Sequence, residues 1–266
     1  MAKYEIHISD VRTFKQCRRK WDWSSMLRRG LESSKPYAPF FTGRAIHHCL
    51  EHYYRDGVSF DSALQAFLET ERMKMETTGA LWPIESEIFD TQIDLIRGLL
   101  EHYDLWLTYD QGRWCDEQLD FISMETSFSV PLRARSGRPS SKVFLAGRFD
   151  GLVRRKDDGS YWIWETKTTR SIDELRRSLD NDEQAGAYIL AAQELFNVPV
   201  SGVLYNIIRK KIPTAPRLLQ DGTLSKNKQI DTTAYHYMQT ARELHSEWPL
   251  DDIVIFYNDM LHHLLS

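Results

Sequence analysis

Residues 142–169, KVFLAGRFDGLVRRKDDGSYWIWETKTT, leave the chain few ways to fold. Two runs, Lys142 to Val153 and Tyr161 to Thr168, flank Lys156-Asp157-Asp158-Gly159. Asp-Gly between apolar runs is a strong hairpin signal, so two adjacent strands are expected. Side chains two apart on a strand share a face. Glu165 and Lys167 then point one way, and Trp162, Trp164 and Thr166 the other. A carboxylate and an ammonium on an otherwise aromatic strand are costly to bury unless they pair or bind an ion. Asp150, on the first strand, supplies a second carboxylate. Two carboxylates and a lysine make a hard-oxygen site for magnesium or manganese, with a cation left to orient water or touch phosphate. The plainer reading is a surface hairpin with a Glu–Lys pair.

Composition asks for a packed core: 42% of residues are hydrophobic and 12% aromatic over 266 positions. No apolar run approaches the roughly 20 residues of a membrane helix, and MAKYEIHISD lacks a signal-peptide core. A soluble, cytoplasmic protein is expected. Cys17, Cys49 and Cys115 form no C-x-x-C pair and read as buried or free thiols. The net charge of −4 does not advertise a nucleic-acid binder, but its distribution is uneven. Residues 1–44 carry ten Lys/Arg against four Asp/Glu, residues 205–230 six against one, and residues 45–129 five against seventeen. Separated blocks suit one cationic groove inside an acidic shell, or ordinary solvated faces.

Upstream, residues 9–29 read as one helix with Ser9 as N-cap and a core-facing stripe of Phe14, Cys17 and Trp21. Residues 30–42 read as a loop, from Gly30, Pro36 and Pro39. A helix over 44–55 buries Ile46, Cys49, Leu50 and Tyr53. On it His47 pairs by spacing with Glu51, and His48 with His52. Residues 60–76 and 85–110 read as acidic scaffold helices, with Gly79 and Pro83 in the loop between. From 118 the period changes to two, with Glu125 on the wet face of a strand, and residues 133–142 are a basic hairpin tip. Helix 182–196 packs through Ile189, Leu190, Ala192, Leu195 and Phe196, and carries Gln184 and Tyr188 four apart. A strand at 201–208, Arg209-Lys210-Lys211, an Asp221-Gly222 turn, a Lys-bearing loop and further helix complete the chain. No G-x-x-x-x-G-K-[ST] phosphate loop is present.

Taken in order, S…F-x-x-C, Gly43-x-x-x-His47, Gly147-Arg148-x-Asp150-Gly151, Glu165-x-Lys167 and Gln184-x-x-x-Tyr188 resemble the PD-(D/E)XK nuclease superfamily. GRFDGLV and the histidine motif are similar to its RecB-like, phage-type exonuclease branch. The resemblance covers about residues 8–211 and implies an α/β fold. That fold is a restriction-endonuclease-like core, a small mixed β-sheet flanked by helices, with an N-terminal helical arm closing one edge. A single domain over 1–266 is implied: arm 1–115, catalytic core 116–211, basic loop and C-terminal helices 212–266.

The resemblance further implies His47, Asp150, Glu165 and the Thr166 carbonyl as ligands of one or two Mg2+ or Mn2+ ions. Lys167 is the residue beside the attacking water, and Gln184 and Tyr188 steady the substrate strand. His47 is preferred to His48, because it stands at the Gly43 spacing. Glu125 resembles an acidic strand residue of relatives, with an ordinary exposed glutamate as the alternative. Some RecB-like nucleases hold an iron–sulfur cluster by one N-terminal and three C-terminal cysteines. No cysteine follows Cys115, so no cluster is expected.

The implied activity is divalent-metal-dependent DNA hydrolysis, as an exonuclease of recombination, repair or phage DNA processing. DNA ends are its partner, with a recombinase or strand-annealing protein as a further candidate. A sequence-nonspecific or structure-specific endonuclease is the rival within the enzyme class. A restriction-type enzyme would want a recognition domain for which little chain is spare. A catalytically silent DNA-binding subunit on the same fold is the rival outside it, and intact Asp150, Glu165 and Lys167 argue against it.

Overall fold

The computed structural model describes residues 3–31, 38–78, 86–108, 115–179, 181–225, 231–247 and 249. Strand β1 (Tyr4–His7) leads into helices α1 (Ile8–Gln16) and α2 (Arg18–Ser24). Three long helices follow: α3 (Ala38–Asp56), α4 (Phe60–Thr78) and α5 (Ser86–Leu107). The meander β2 (Leu119–Arg133), β3 (Pro139–Arg155) and β4 (Tyr161–Thr169) comes next. Then come α6 (Ile172–Leu179), α7 (Glu183–Phe196), β5 (Val200–Arg209) and α8 (Ala234–Leu244). Among the described residues no helix is long and apolar enough to cross a membrane.

The hairpin forms where expected. Gly159 takes φ +71 at the turn, and buried Arg155 pairs with Asp157 and Asp158. The sheet is mixed. β3 pairs antiparallel with β2 along most of its length. Its other edge is divided, with β1 parallel beside residues 143–146 and β4 antiparallel beside 151–154. Residues 147–150 therefore have no ladder partner on that edge among the described residues. β5 runs parallel to β4, as the intervening helical crossover requires.

Helices cover both faces. α7 packs Ala187, Tyr188, Ala191 and Ala192 on Phe128, Phe149, Leu152 and Ile163. Small residues let it sit close to the sheet, and Leu190 and Leu195, expected in that contact, are exposed instead. On the other face Ile46, Cys49 and Leu50 of α3, Leu64 and Phe67 of α4, and Ile96, Leu99 and Tyr103 of α5 pack around Ile208. Tyr54 of α3 meets Trp164 edge-on at 5.6 Å. The helices of the N-terminal segment thus cover a face rather than close an edge, because an aromatic face needs a lid. The same segment also gives the sheet a strand, β1, which is too short to show a period.

Three further expectations are corrected. Residues 9–29 are two helices, broken at Cys17 (φ −160, ψ 109), whose Sγ caps α2 by accepting from Lys20 N. Neither helix has a buried residue: Phe14 and Cys17 are exposed, and the N-cap is His7 rather than Ser9. α3 begins at Ala38, inside the expected loop, because proline is tolerated in a first turn where its N–H has no partner to lose. The loop of Gly79 and Pro83, residues 109–110, the lysines of 226–230 and any helix beyond 250 lie outside the described residues.

Candidate active site

The site lies where β3 and β4 separate. Ladder pairing stops at Gly151↔Trp164, and beyond it the Thr166 N–H donates to Asp150 Oδ2 at 2.7 Å. Asp150 is thus held by the backbone of the strand that bears Glu165 and Lys167. Lys167 Nζ donates to Glu165 Oε1 at 2.6 Å and to Gln184 Oε1 of α7 at 3.1 Å.

From the other face α3 brings His47. Gly43 admits the head of that helix against β4, where a Cβ would stand 3.4 Å from Thr168 Oγ1. His47 Nδ1 lies 3.3 Å from Asp150 Oδ2 and 3.5 Å from Glu125 Oε1. Its expected pairing with Glu51 does not form among the described residues. Glu51 instead pairs with Arg55, one turn on. Glu125 is not on a wet face: its side chain is 7% exposed and its Oε2 takes Arg148 Nε at 2.7 Å. It stands between the pairs Met124↔Gly151 and Thr126↔Phe149 at φ +45, a left-handed conformation unusual for a non-glycine. Such strain, about 1–3 kcal/mol, persists where surroundings over-determine it.

The electrostatics follow from crowding. Burial lowers the basicity of His47, but Asp150 and Glu125 outweigh it and raise its pKa to about 10. In the metal-free chain an imidazolium therefore sets one positive charge against those two carboxylates, and Arg148 adds a second at Glu125. Burial, then the charge of Asp150, push Glu165 up to about 7 against the pull of Lys167 and His47. Burial also pushes Tyr188 up to about 12, so its hydroxyl stays neutral.

A divalent cation fits this donor set. Ligand atoms of His47, Glu125 and Asp150 lie within 4.8 Å of one another. Glu165 Oε2 is buried and has no hydrogen-bond partner among the described residues, the condition of an oxygen awaiting a cation.

His47, Asp150, Glu165, Thr166, Lys167 and Gln184 line one cleft of about 660 Å³. Tyr188 does not line it. That side chain is 7% exposed, packed between Phe128 and Phe149, and accepts from Gln184 Nε2. Its hydroxyl thus reaches Gln184, and through Gln184 it reaches Lys167. The cleft wall adds Arg44, Thr70, Glu71, Lys74 and Arg148, none of which stood out in the sequence as a site residue, and Lys210 of the basic Arg209-Lys210-Lys211 run. Arg148 had a usable signal, since it stands two residues before Asp150 on one strand. α4, read as scaffold, supplies three of these residues.

The profile of the PD-(D/E)XK nuclease superfamily matches residues 6–252, and the chain belongs to that superfamily. Its members are generally metal-dependent nucleases that use divalent metals. No curated protein matches the chain.

The geometry separates the two adjacent histidines. His47→Ala is expected to cost at least about tenfold more cleavage than His48→Ala when metal is limiting, because only His47 reaches Asp150. Rates measured across a manganese titration check this, and equal losses would remove His47 from the site.

Proposed function

We propose that the protein is an end-dependent DNA exonuclease of the RecB-like kind, acting in recombination, repair or phage DNA processing. The observation that carries this reading is the meeting of Asp150, Glu165, Lys167 and His47 at the open seam between β3 and β4. His47, Asp150 and Glu165, with Glu125 and the Thr166 carbonyl, would hold Mg2+ or Mn2+, and the single imidazole among oxygens suits manganese. Bound there, the metal supplies Lewis-acid polarisation of the scissile phosphate and acidifies water.

The chain's own groups do the rest. Two of the three Lys167 ammonium protons go to Glu165 and Gln184. The third is left to steady the attacking water or a phosphate oxygen as negative charge builds. Gln184, fixed by Tyr188, sets the position of that ammonium. Hydrolysis forms a P–O bond to water and breaks the P–O bond to the leaving strand, whose oxygen takes a proton.

Among the described residues, the two basic blocks of the sequence each send one cation to the cleft, Arg44 and Lys210. Arg12 and Lys15 instead pair with Asp182 and Glu183, and Lys211 with Asp231. Cleft cations engage phosphate without reading bases. Cytoplasmic action on DNA ends, alongside a recombinase or strand-annealing protein, is the setting proposed for such a cleft.

End-labelled linear DNA and covalently closed circles, each with Mg2+ or Mn2+, test the reading. Linear DNA should fall to short products while circles survive; rapid cutting of circles at discrete sites would make the enzyme an endonuclease. In the same DNA, Lys210→Ala should lower the slope of log affinity against log salt by about one. Lys211→Ala should change it less, since that lysine lies off the cleft and shares Asp231 with Arg209. Equal slopes for the wild type and Lys210→Ala would take Lys210 off the DNA path.

A further inference from the structure

We propose that His48, Glu51 and His52 form a second metal site on α3, separate from the Asp150 cluster and suited to a borderline transition ion such as Zn2+. One ligand atom from each residue lies within 4.8 Å of the others. The spacing i, i+3, i+4 places all three on one helical stripe, and the two imidazole rings are 4.4 Å apart. Neither histidine is needed by the chemistry of the Asp150 cluster.

Two details point to a ligand rather than to a solvated face. His48 Nε2 is buried and has no hydrogen-bond partner among the described residues. Leaving such a nitrogen unsatisfied is costly, and a metal ion would satisfy it. His52 Nδ1 lies 2.8 Å from Asp56 Oδ2, which fixes the ring and leaves Nε2 as its ligand atom. A carboxylate behind a histidine in this way is the usual support of a metal-bound imidazole.

The donor set decides the ion. Two imidazoles and one carboxylate, with a fourth position for water, match tetrahedral zinc and are poor ligands for Mg2+. The oxygen-rich cluster around Asp150 has the opposite preference. Opposing charge is nearby and must be met. Arg55 pairs with Glu51 and lies 3.5 Å from His52 Nδ1, but its side chain is 44% exposed and can move into water. Arg44 and Lys74 face the same wall, and both are already paired with Glu71. His48 and Glu51 line the cleft that holds the Asp150 cluster, so an ion here adds positive charge to the proposed DNA path. It also ties together two positions on the helix that carries His47.

Equilibrium dialysis of the full chain against zinc chloride, with bound metal counted, tests the site. The wild type should bind one more zinc ion than His52→Ala, and Asp150→Asn should keep the ion that His52→Ala loses. Arg55→Ala should tighten the ion that His52→Ala loses, by about threefold or more. In the Asp150→Asn background zinc should raise Tm, and adding His52→Ala should abolish that rise. Glu51→Gln provides the same comparison if His52→Ala folds poorly. A zinc count for His52→Ala and Glu51→Gln equal to the wild type would overturn the proposal, as would weaker binding by Arg55→Ala. Metal counts do not depend on cleavage, so a protein without nuclease activity would overturn the exonuclease reading and leave this one standing.

Discussion

Asp150→Asn is expected to lower DNA cleavage by at least about a thousandfold while leaving the fold intact. Asp150 has two tasks, and the amide separates them. Its Oδ2 accepts the Thr166 N–H where the β3–β4 ladder ends, and an amide oxygen can still accept that bond. Its negative charge, facing His47 and beside Glu165, is what a divalent cation requires, and an amide does not carry it. Single-turnover rates on end-labelled DNA in saturating manganese measure the first effect, and a manganese titration the second. Asp150→Ala loses both tasks and should also unfold at lower denaturant. Lys167→Ala should cost a similar factor in rate, since the ammonium held by Glu165 and Gln184 is the group left to steady the attacking water or a phosphate oxygen. An Asp150→Asn enzyme that cuts at the wild-type rate would remove this cluster from the chemistry.

The hairpin was legible because its signals are local. Asp158-Gly159 marks the turn, and alternation places Glu165 and Lys167 together without reference to any distant residue. The buried stripe of α3 was legible for the same reason, since Ile46, Cys49 and Leu50 repeat at helical spacing. Periodicity reports amphipathicity, not the presence of a cover. Phe14 and Trp21 make an apolar stripe on α1 and α2, yet their rings meet edge-on at the surface and α1 and α2 bury nothing. β1 left no trace because its partner, residues 143–146 of β3, lies over a hundred positions away.

The site divides along the same line. Asp150, Glu165 and Lys167 belong to one hairpin, so their meeting follows from short-range order. His47 reaches them only through the packing of α3 on the sheet, and motif spacing stood in for that geometry. Glu125 shows what spacing misses. Alternation put its carboxylate in water, whereas φ +45 breaks the alternation and leaves it buried beside His47 and Arg148. Tyr188 shows the converse, a motif residue whose hydroxyl works from within the core through Gln184.

Glu165→Gln should abolish cleavage and yet stabilise the metal-free protein above pH 7. Burial and the charge of Asp150 raise the pKa of Glu165 from 4.5 to about 7 in the folded chain. Between those values the folded state holds a proton that the unfolded chain has already released. Stability is therefore fully present below about pH 4.5 and is lost as pH rises toward 7, after which the loss is constant. A glutamine never ionises and escapes that loss, while keeping an oxygen for Lys167. The gain should be roughly 1–3 kcal/mol at pH 8, the upper figure being the full shift and the lower allowing for relaxation around the side chain. Urea unfolding in EDTA at pH 8 and at pH 4.5 measures it, and the advantage should vanish at the lower pH. Manganese should reverse the order at pH 8, because the buried Glu165 Oε2 then gains the partner it lacks and the wild type alone is stabilised by binding. Equal stability of the two proteins in EDTA at pH 8 would mean that Glu165 is not held against its charge, and that the preference of this seam for a cation has been misread.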